Sequence, residues 1–233
     1  MNFAIILSGG IGTRMKNGKF PKQYIEVEDK MILEYTLDTF SESSSIDSIV
    51  IVMEEGWKLK LSHYLLSKYT KIKGFAKAGK SRQESILNGL IECINISAND
   101  SDAVMIHDAV RPLLSQDLIV SCFKELDTHD GCMPAIPVKD TIYYSDNGKE
   151  ISNLLDRTKL YAGQAPEVFK LKKYYELNKQ TSIEHLHEIR GTSEIAFEAG
   201  FNISIISGEE SNFKITTPSD LKRFETIVRS MKE

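Results

Sequence analysis

The chain is poor in cysteine and has no long apolar run. Its three cysteines, Cys93, Cys122 and Cys132, show no Cys-x-x-Cys spacing and are odd in number. A disulfide framework or a zinc site is therefore not expected, and the predicted compartment is the reducing cytoplasm. No segment approaches the roughly 20 consecutive apolar residues of a membrane-spanning helix, and the first residues lack a signal-peptide layout. We expect no membrane partner.

Basic residues are not in excess either, because 33 Asp and Glu outnumber 29 Lys and Arg and give a formal net charge of −4. Proteins dedicated to nucleic-acid binding usually have a basic surplus, so no nucleic-acid partner is expected. The 233 residues contain no internal repeats, low-complexity tracts or linker-like segments. We therefore predict a single domain over residues 1–233.

What the chain does contain is short apolar runs that alternate with helical periodicity. The runs at 2–7, 48–53, 103–106, 132–138 and 203–206 predict strands. Apolar spacing predicts helices near 32–40, 85–94, 118–126 and 221–231. This alternation is typical of an α/β fold with a mostly parallel sheet flanked by helices, in which ligands bind beyond the carboxyl ends of the strands.

Residues 139–160 break the alternation. Two short apolar runs flank Asn147-Gly148, a dipeptide that favours the type I′ turn of a hairpin. We predict a β-arm that projects from the sheet and pairs with a second subunit, giving a homodimer.

A glycine-rich loop follows the first predicted strand. Residues 8–14 contain Gly9, Gly10 and Gly12 and end at Arg14, and Lys22 follows in Pro21-Lys22-Gln23. Glycines let backbone N–H groups approach phosphate oxygens, and two cations there would stabilise charge on a reacting phosphate. The dinucleotide pattern G-x-G-x-x-G fails because position 15 is methionine. The loop therefore predicts a triphosphate site rather than a dinucleotide site.

A second glycine pattern competes with this interpretation. Gly74, Gly79, Lys80 and Ser81 match the P-loop spacing G-x-x-x-x-G-K-S, which leaves a P-loop NTPase or kinase as an alternative. The residues before Gly74 are too polar and too few for a buried first strand, and a phosphate loop already follows strand one. We favour a loop that leads into the helix at 83–94.

Two further segments contain charged side chains near predicted strand and helix ends. Asp108 follows the apolar run at 103–106 and offers a hard oxygen ligand for Mg²⁺, while Arg111 can bind a phosphomonoester. His107 is expected to hydrogen-bond to backbone. Lys214 precedes Thr217, a predicted N-cap with Pro218 at the first position of the last helix.

The motifs at 7–15, 21–23, 107–112 and 214–218, in this order, resemble the sugar-alcohol-phosphate cytidylyltransferases, a family that includes ribitol-5-phosphate and 2-C-methyl-D-erythritol 4-phosphate cytidylyltransferases. The resemblance spans essentially the whole chain. It implies a Rossmann-like nucleotidyltransferase fold, Mg²⁺ as cofactor, and transfer of a cytidylyl group from CTP to a polyol phosphate with release of pyrophosphate.

The resemblance also implies roles for individual residues. The catalytic residues would be Arg14, Lys22 and Lys214. Nucleotide contacts would come from Leu7, Ser8, Gly9, Gly10, Gly12, Thr13, Gly79, Lys80, Ser85 and Asp108. The metal would bind at Asp108, and the acceptor would bind at Asp108, Arg111, Thr141, Arg157 and Lys214. Thr141 and Arg157 would reach the site of the neighbouring subunit through the arm.

Two segments depart from the family pattern. Ala165-Pro166-Glu167 stands where Thr-Pro-Gln is common, and Ser193 follows Thr192 where an acidic residue is common. The segments 9–12, 161–164 and 216–218 are nearer the ribitol-phosphate branch, so D-ribitol 5-phosphate is the favoured acceptor. 2-C-methyl-D-erythritol 4-phosphate, another polyol phosphate, or a nucleotide-binding module without catalysis stay open as alternatives.

Overall fold

A central β-sheet organises the molecule, which is described here from a computed structural model covering residues 1–10 and 20–231. The strands are β1 (Asn2–Leu7), β2 (Glu26–Val27), β3 (Lys30–Met31), β4 (Ser48–Met53), β5 (Ile72–Lys77), β6 (Ala103–Asp108), β7 (Gly131–Pro137), β8 (Tyr143–Tyr144), β9 (Asn153–Leu154), β10 (Tyr161–Gly163), β11 (Glu167–Lys170) and β12 (Ile203–Ser207). The helices are α1 (Ile32–Glu42), α2 (Glu55–Lys68), α3 (Arg82–Ile96), α4 (Gln116–Lys124), α5 (Leu171–Gln180), α6 (Ile183–Glu188), α7 (Thr192–Glu198) and α8 (Pro218–Ser230). Single 3₁₀ turns lie at Lys22–Tyr24, Glu125–Asp127 and Arg157–Lys159.

Eight of the described strands form the main sheet, in the order β10-β7-β11-β6-β1-β4-β5, with β12 paired to β7. Six of them run in one direction, and β10 and β11 run in the other. The central strands β4 and β6 are buried at every position, as expected for parallel strands covered on both faces. The predicted α/β class with a mostly parallel sheet is confirmed.

Helices cover both faces of this sheet. Leu37 and Phe40 of α1 pack on one face together with Ile119 of α4. On the other face, Leu90 of α3 and Tyr174 of α5 lie in a second apolar cluster. Among the described residues, no helix combines the length and the apolar character needed to cross a membrane.

Side-chain caps fix where several helices begin. The hydroxyls of Ser81, Ser115 and Ser182 each accept a backbone N–H from the first turn of α3, α4 and α6, which satisfies a donor that the helix itself leaves unpaired. Thr217 does the same for α8, with Pro218 as the first helical residue. The predicted cap of the last helix is confirmed.

The hairpin arm forms, but its predicted type I′ turn is wrong. Tyr143 pairs with Leu154 and Tyr144 with Asn153, so residues 145–152 connect the strands in place of a two-residue turn. The side chain of Asn147 accepts the N–H groups of Lys149 and Glu150 within this loop. An asparagine that caps its own loop favours this longer connection over the tight turn.

The histidine at the end of β6 has a structural role. His107 is fully buried, and its Nε2 lies 3.0 Å from the carbonyl oxygen of Arg111. Burial lowers the pKa of His107 to about 4, so the ring is neutral at pH 7 and Nε2 donates to that carbonyl. The predicted backbone hydrogen bond is confirmed, and it holds the turn that follows Asp108.

Candidate active site

A cavity of about 760 Å³ opens at the carboxyl ends of the parallel strands. It is bordered by the loop after β1, the loop between β5 and α3, the end of β6 and the segment before α8. The lining residues are Leu7, Gly9, Gly10, Lys22, Gln23, Glu54, Lys77, Ala78, Gly79, Lys80, Ser81, Arg82, Glu84, Ser85, Asn88, Asp108, Val110, Lys214 and Thr216. The sheet edge predicted to bind ligand is therefore the edge that contains this cavity.

Asp108 is surrounded by three cations. Its carboxylate lies 3.0 Å from Nζ of Lys214, 3.2 Å from the guanidinium of Arg82 and 3.5 Å from Nε of Arg111. Burial by itself raises the pKa of the Asp108 carboxyl, but the charges of these three side chains outweigh it and hold the pKa well below its usual range. The carboxylate is therefore ionised at neutral pH. Asp108 is the last residue of β6, whereas the sequence predicted it just beyond the strand.

The loop after β1 is held by side chains of the turn at 22–24. The amide of Gln23 donates to the carbonyl oxygens of Ser8 and Gly10, at 2.7 and 2.9 Å. The hydroxyls of Ser8 and Tyr24 lie 3.2 Å apart. Ser8, the first residue of the loop, is buried and does not line the cavity. Its side chain therefore stabilises the loop and does not face a ligand in that cavity.

Two glycines permit close approaches around the cavity. A Cβ on Gly9 would overlap the Cβ of Ala78, and a Cβ on Gly79 would lie 2.6 Å from the Cβ of Glu84. The loop after β1 and the loop after β5 can therefore meet only because residue 9 has no side chain.

The segment that matches the P-loop spacing does not form a phosphate loop. Gly74 lies inside β5, an edge strand of the sheet, so the predicted loop over the first half of the segment is wrong. The N–H of Gly79 donates to Ser85 Oγ at 2.9 Å and that of Lys80 to the Glu84 carboxylate at 2.6 Å. The backbone donors of a P-loop are thus already bonded within the chain, which argues against the P-loop alternative.

Lys22 and Lys214 reach the cavity from neighbouring positions. Nζ of Lys22 donates to the carbonyl oxygen of Ile215 at 2.8 Å, and the N–H of Ile215 donates to the carbonyl of Val110. The Asp220 carboxylate accepts hydrogen bonds from residues 216 and 217, so the segment after Lys214 is fixed at both ends. Two predicted catalytic lysines therefore line the same cavity.

A second, smaller cavity of about 260 Å³ adjoins the first. Arg82, Asp108 and Lys214 line both cavities. The remaining residues of the second cavity are Arg111, Met133, Gly163, Gln164, Ala165, Glu167, Arg190, Gly191, Thr192, Ser193 and Glu194. The charged cluster around Asp108 is thus the wall that the two cavities share.

The other predicted residues fall into three groups. Arg14, Gly12 and Thr13 lie outside the described residues. Thr141 and Arg157 are exposed on or beside the arm and line neither cavity of their own chain, and Arg157 donates to the carbonyl of Lys139. Leu7, Gly9, Gly10, Gly79, Lys80, Ser85, Asp108, Lys22 and Lys214 line the first cavity, and Arg111 the second.

Sequence reasoning missed Arg82, although it contacts Asp108 and lines both cavities. It is the first residue of α3 and directly follows the glycine pattern at 74–81, and no motif marks an isolated arginine at a helix start. The role of Gln23 is also not evident from its motif, because its two hydrogen bonds to the loop after β1 depend on a turn that no spacing rule predicts.

An α/β sheet whose strand ends border a cavity with glycine loops, lysines and a buried carboxylate is the arrangement expected of a nucleotidyltransferase. The family model described as "IspD: 2-C-methyl-D-erythritol 4-phosphate cytidylyltransferase" matches residues 2–230. The chain belongs to this cytidylyltransferase family, as the sequence motifs predicted.

Individual relatives and solved structures agree with this assignment. The ribitol-5-phosphate cytidylyltransferase of Vibrio parahaemolyticus serotype O3:K6 is 33% identical, over 98% of this chain and 96% of that protein. The bifunctional ribulose 5-phosphate reductase/CDP-ribitol pyrophosphorylase of Haemophilus influenzae is 36% identical, over 94% of this chain and 46% of that protein. The crystal structure of 4-diphosphocytidyl-2C-methyl-D-erythritol synthase from Anaerococcus prevotii DSM 20548 is 26% identical, with a TM-score of 0.80 over 98% of this chain and 96% of that one.

Proposed function

We propose that the chain transfers the cytidylyl group of CTP to D-ribitol 5-phosphate, giving CDP-ribitol and pyrophosphate. The relatives named for ribitol or CDP-ribitol chemistry, at 33% and 36% identity, support this acceptor. The family model and the solved structures are named for the methylerythritol reaction, which makes 2-C-methyl-D-erythritol 4-phosphate the second candidate acceptor.

The observation that carries the proposal is the position of Asp108 and its three cations between two cavities. The first cavity, about 760 Å³, has room for a nucleoside triphosphate, and the second, about 260 Å³, has room for a small polyol. Arg82 and Lys214 border both. Two phosphorylated substrates that enter from opposite sides would bring their phosphates together at these cations.

The reaction needs no nucleophile from the protein. An oxygen of the acceptor phosphate attacks the α-phosphorus of CTP, the new P–O bond forms, and the bond to the β-phosphate oxygen breaks to release pyrophosphate. Charge then concentrates on the α-phosphoryl oxygens, where fixed cations are most effective. We assign this role to Lys22 and, from its place in the glycine-rich motif, to Arg14, while Lys214 and Arg111 bind the acceptor phosphate.

Asp108 lets the cationic wall form before substrate arrives. Three cations packed together repel one another, and the buried carboxylate offsets that repulsion. The acceptor phosphate would then compete with Asp108 for Lys214, whose side chain is 35% exposed. We propose that the ion pairs of the empty site are replaced by ion pairs to phosphate in the loaded site.

We propose Mg²⁺ as the cofactor. Among the described residues no group of three or more His, Cys, Asp or Glu side chains could hold a metal, which fits an ion that arrives with the triphosphate and takes most of its oxygens from phosphate and water. Asp108 would be its protein ligand, and Glu54 and Glu84 are the other carboxylates in the wall of the first cavity. The ion would neutralise part of the phosphate charge.

The arm supports a homodimer. Tyr143, Tyr144, Ile151 and Leu154 are all more than half exposed, an apolar surface that a second copy would cover. Thr141 and Arg157 would then contact the acceptor phosphate in the partner's site. Three buried free thiols fit a reducing compartment, and we propose the cytoplasm.

A coupled assay for pyrophosphate tests the function directly. Purified protein with CTP and Mg²⁺ is supplied in turn with D-ribitol 5-phosphate, 2-C-methyl-D-erythritol 4-phosphate and glycerol phosphate. The highest kcat/KM is expected with ribitol 5-phosphate. A higher value with methylerythritol phosphate would replace the acceptor, and CTP binding without turnover on any of the three would refute the proposed reaction.

A further inference from the structure

The far wall of the second cavity brings together the two places where the sequence departs from its family's pattern. Oγ of Ser193 donates to Oε2 of Glu167 at 2.5 Å. Glu167 is only 8% exposed, and a buried carboxylate requires a hydrogen-bond donor. The two unusual residues are therefore a matched pair, with the hydroxyl of one holding the carboxylate of the other.

Strand geometry aims Glu167 at the site. It pairs with Ile106 across β11 and β6, and Asp108 lies two residues further along β6. Ile106 and Phe169 pack in the same apolar cluster, so the alternation of side chains puts Glu167 and Asp108 on one face of the sheet. The offset along the strand is about 7 Å, which a chain of several carbons can span.

Two polar groups at this end lack partners in the described part of the chain. Only one oxygen of Glu167 is bonded, that to Ser193, and the buried Oγ1 of Thr192 has no hydrogen bond. Gln164, also in the wall, is already used, since its side chain bonds both the N–H and the carbonyl of Glu209. Glu167 and Thr192 are thus free to bind a ligand, and the exposed Arg190 side chain lines the same wall.

The wall of the second cavity contains cations as well as the Glu167 carboxylate. Arg82 and Lys214 lie at the end shared with the first cavity, and Glu167 lines the remaining wall together with Arg111 and Arg190. A phosphate at the first end places a chain of neutral hydroxyls against a carboxylate that accepts hydrogen bonds. A carboxylate or a second phosphate at that position would be repelled.

We propose that Glu167, positioned by Ser193, is a specificity-determining residue that accepts a hydrogen bond from a hydroxyl of the polyol phosphate, remote from its phosphate. The inference rests on the proposed function and deepens it. It predicts that the enzyme selects acceptors by a hydroxyl at a fixed distance from the phosphate.

A substrate–enzyme double-mutant cycle tests this. The variants are Glu167→Leu and the near-isosteric Glu167→Gln, with Ser193→Ala and, as a matched control, Glu184→Gln, which removes an exposed carboxylate outside both cavities. Each is assayed with D-ribitol 5-phosphate and with analogues that each lack one hydroxyl. Loss of one hydrogen bond to a charged group is expected to lower kcat/KM about 10- to 100-fold, with KM for CTP unchanged.

The pattern across analogues decides the outcome. For one analogue, kcat/KM of the wild-type enzyme should be about 10- to 100-fold lower than with D-ribitol 5-phosphate. In Glu167→Leu the same change of substrate should lower kcat/KM by less than about threefold, because the hydrogen bond is already absent from that variant. Glu167→Gln and Ser193→Ala should fall between. If the losses from the Glu167 substitution and from the missing hydroxyl are additive for every analogue, or if the control loses as much, the inference is wrong while the proposed function stands. No turnover of ribitol 5-phosphate by wild-type enzyme overturns the proposed function and the inference with it. Thermal unfolding and KM for CTP verify that each variant is folded.

Discussion

Nζ of Lys214 lies 3.0 Å from Oδ2 of Asp108, although the two residues are 106 positions apart in the chain. This ion pair joins the segment before α8 to the end of β6, and it lies where the two cavities meet. Because Arg82 and Arg111 contact the same carboxylate, Asp108 brings together three cations from three parts of the sequence.

Replacing Asp108 with asparagine should impair both stability and activity. The change keeps the shape and leaves three cations without their anion. We expect a loss of about 2–3 kcal/mol in the free energy of unfolding, less than for a fully buried pair because Lys214 is 35% exposed, and a fall in kcat/KM of at least about 100-fold. Urea unfolding and the pyrophosphate assay measure these. Unchanged stability would show that the cations do not depend on Asp108.

Lysines 22 and 80 separate the two interpretations of the glycine loops. Lys22→Ala removes a cation next to Ile215 and Lys214 and should lower kcat about 100- to 1,000-fold. Lys80→Ala removes an exposed side chain and should mainly raise KM for CTP, by less than about tenfold. The reverse order of effects on kcat would restore the P-loop interpretation.

Gly9 and Gly10 offer a matched pair for packing. Alanine at Gly9 would overlap Ala78, whereas a Cβ on Gly10 meets no described atom within 4 Å. Gly9→Ala should reduce the free energy of unfolding by about 1–3 kcal/mol, and Gly10→Ala by much less. Urea unfolding of the two variants provides the comparison. Equal effects would mean that the loops after β1 and β5 move apart at little cost.

Acid should destabilise the fold through His107. Burial lowers the pKa of His107 from 6.5 to about 4, so the unfolded chain takes up a proton below pH 6.5 that the folded chain refuses. Stability is full above pH 6.5 and falls towards pH 4, with a slope of up to about 1.4 kcal/mol per pH unit.

The measurement is urea unfolding between pH 7.5 and 5, in wild type and in His107→Gln, which should have a flatter profile. His185 acts in the opposite direction, since its hydrogen bond to Glu198 raises its pKa. The stabilisation by His185 is present below pH 6.5 and is lost as the pH rises. His185→Gln is therefore the control, and its stability profile should not become flatter than that of wild type. A His107→Gln profile as steep as that of wild type contradicts the assignment.

Mixing two inactive variants tests the arm. If Arg157 serves the partner's site and Lys214 its own, a heterodimer of Arg157→Ala and Lys214→Ala contains one site with both defects and one intact site. Random exchange of equal amounts should therefore restore about a quarter of wild-type activity. Light scattering of the wild type should give a dimer. No recovery in a mixture shown to exchange subunits would place Arg157 outside the partner's site.

The sequence revealed strands that form uninterrupted apolar runs better than strands of mixed composition, and it missed β11, which lies inside the sheet between β7 and β6. β1, β4 and β6 are apolar on both faces, so an uninterrupted run marks each of them. β5 is an edge strand with only Ile72 and Ala76 buried, and its mixed composition concealed it. α2 buries only Leu65, which leaves no apolar stripe to detect.

Site residues could likewise be predicted only where the local sequence marks them. Asp108 and Lys214 could be predicted because each adjoins a recognisable strand or helix end. The ion pair between Asp108 and Arg82 could not be predicted, because it requires the start of α3 to meet the end of β6. The pairing of Glu167 with Ser193 depends likewise on how α7 packs beside β11, which spacing along the chain does not encode.

The burial of all three thiols has a practical consequence for following the arm. Cys93, Cys122 and Cys132 are fully enclosed, and burial raises the pKa of Cys93, so maleimide reagents should spare the native cysteines. A single Ser145→Cys substitution would then place one reactive handle at the tip of the hairpin. A fluorophore attached there can report, by energy transfer between two labelled chains, how the tips are separated in solution and whether CTP changes that distance.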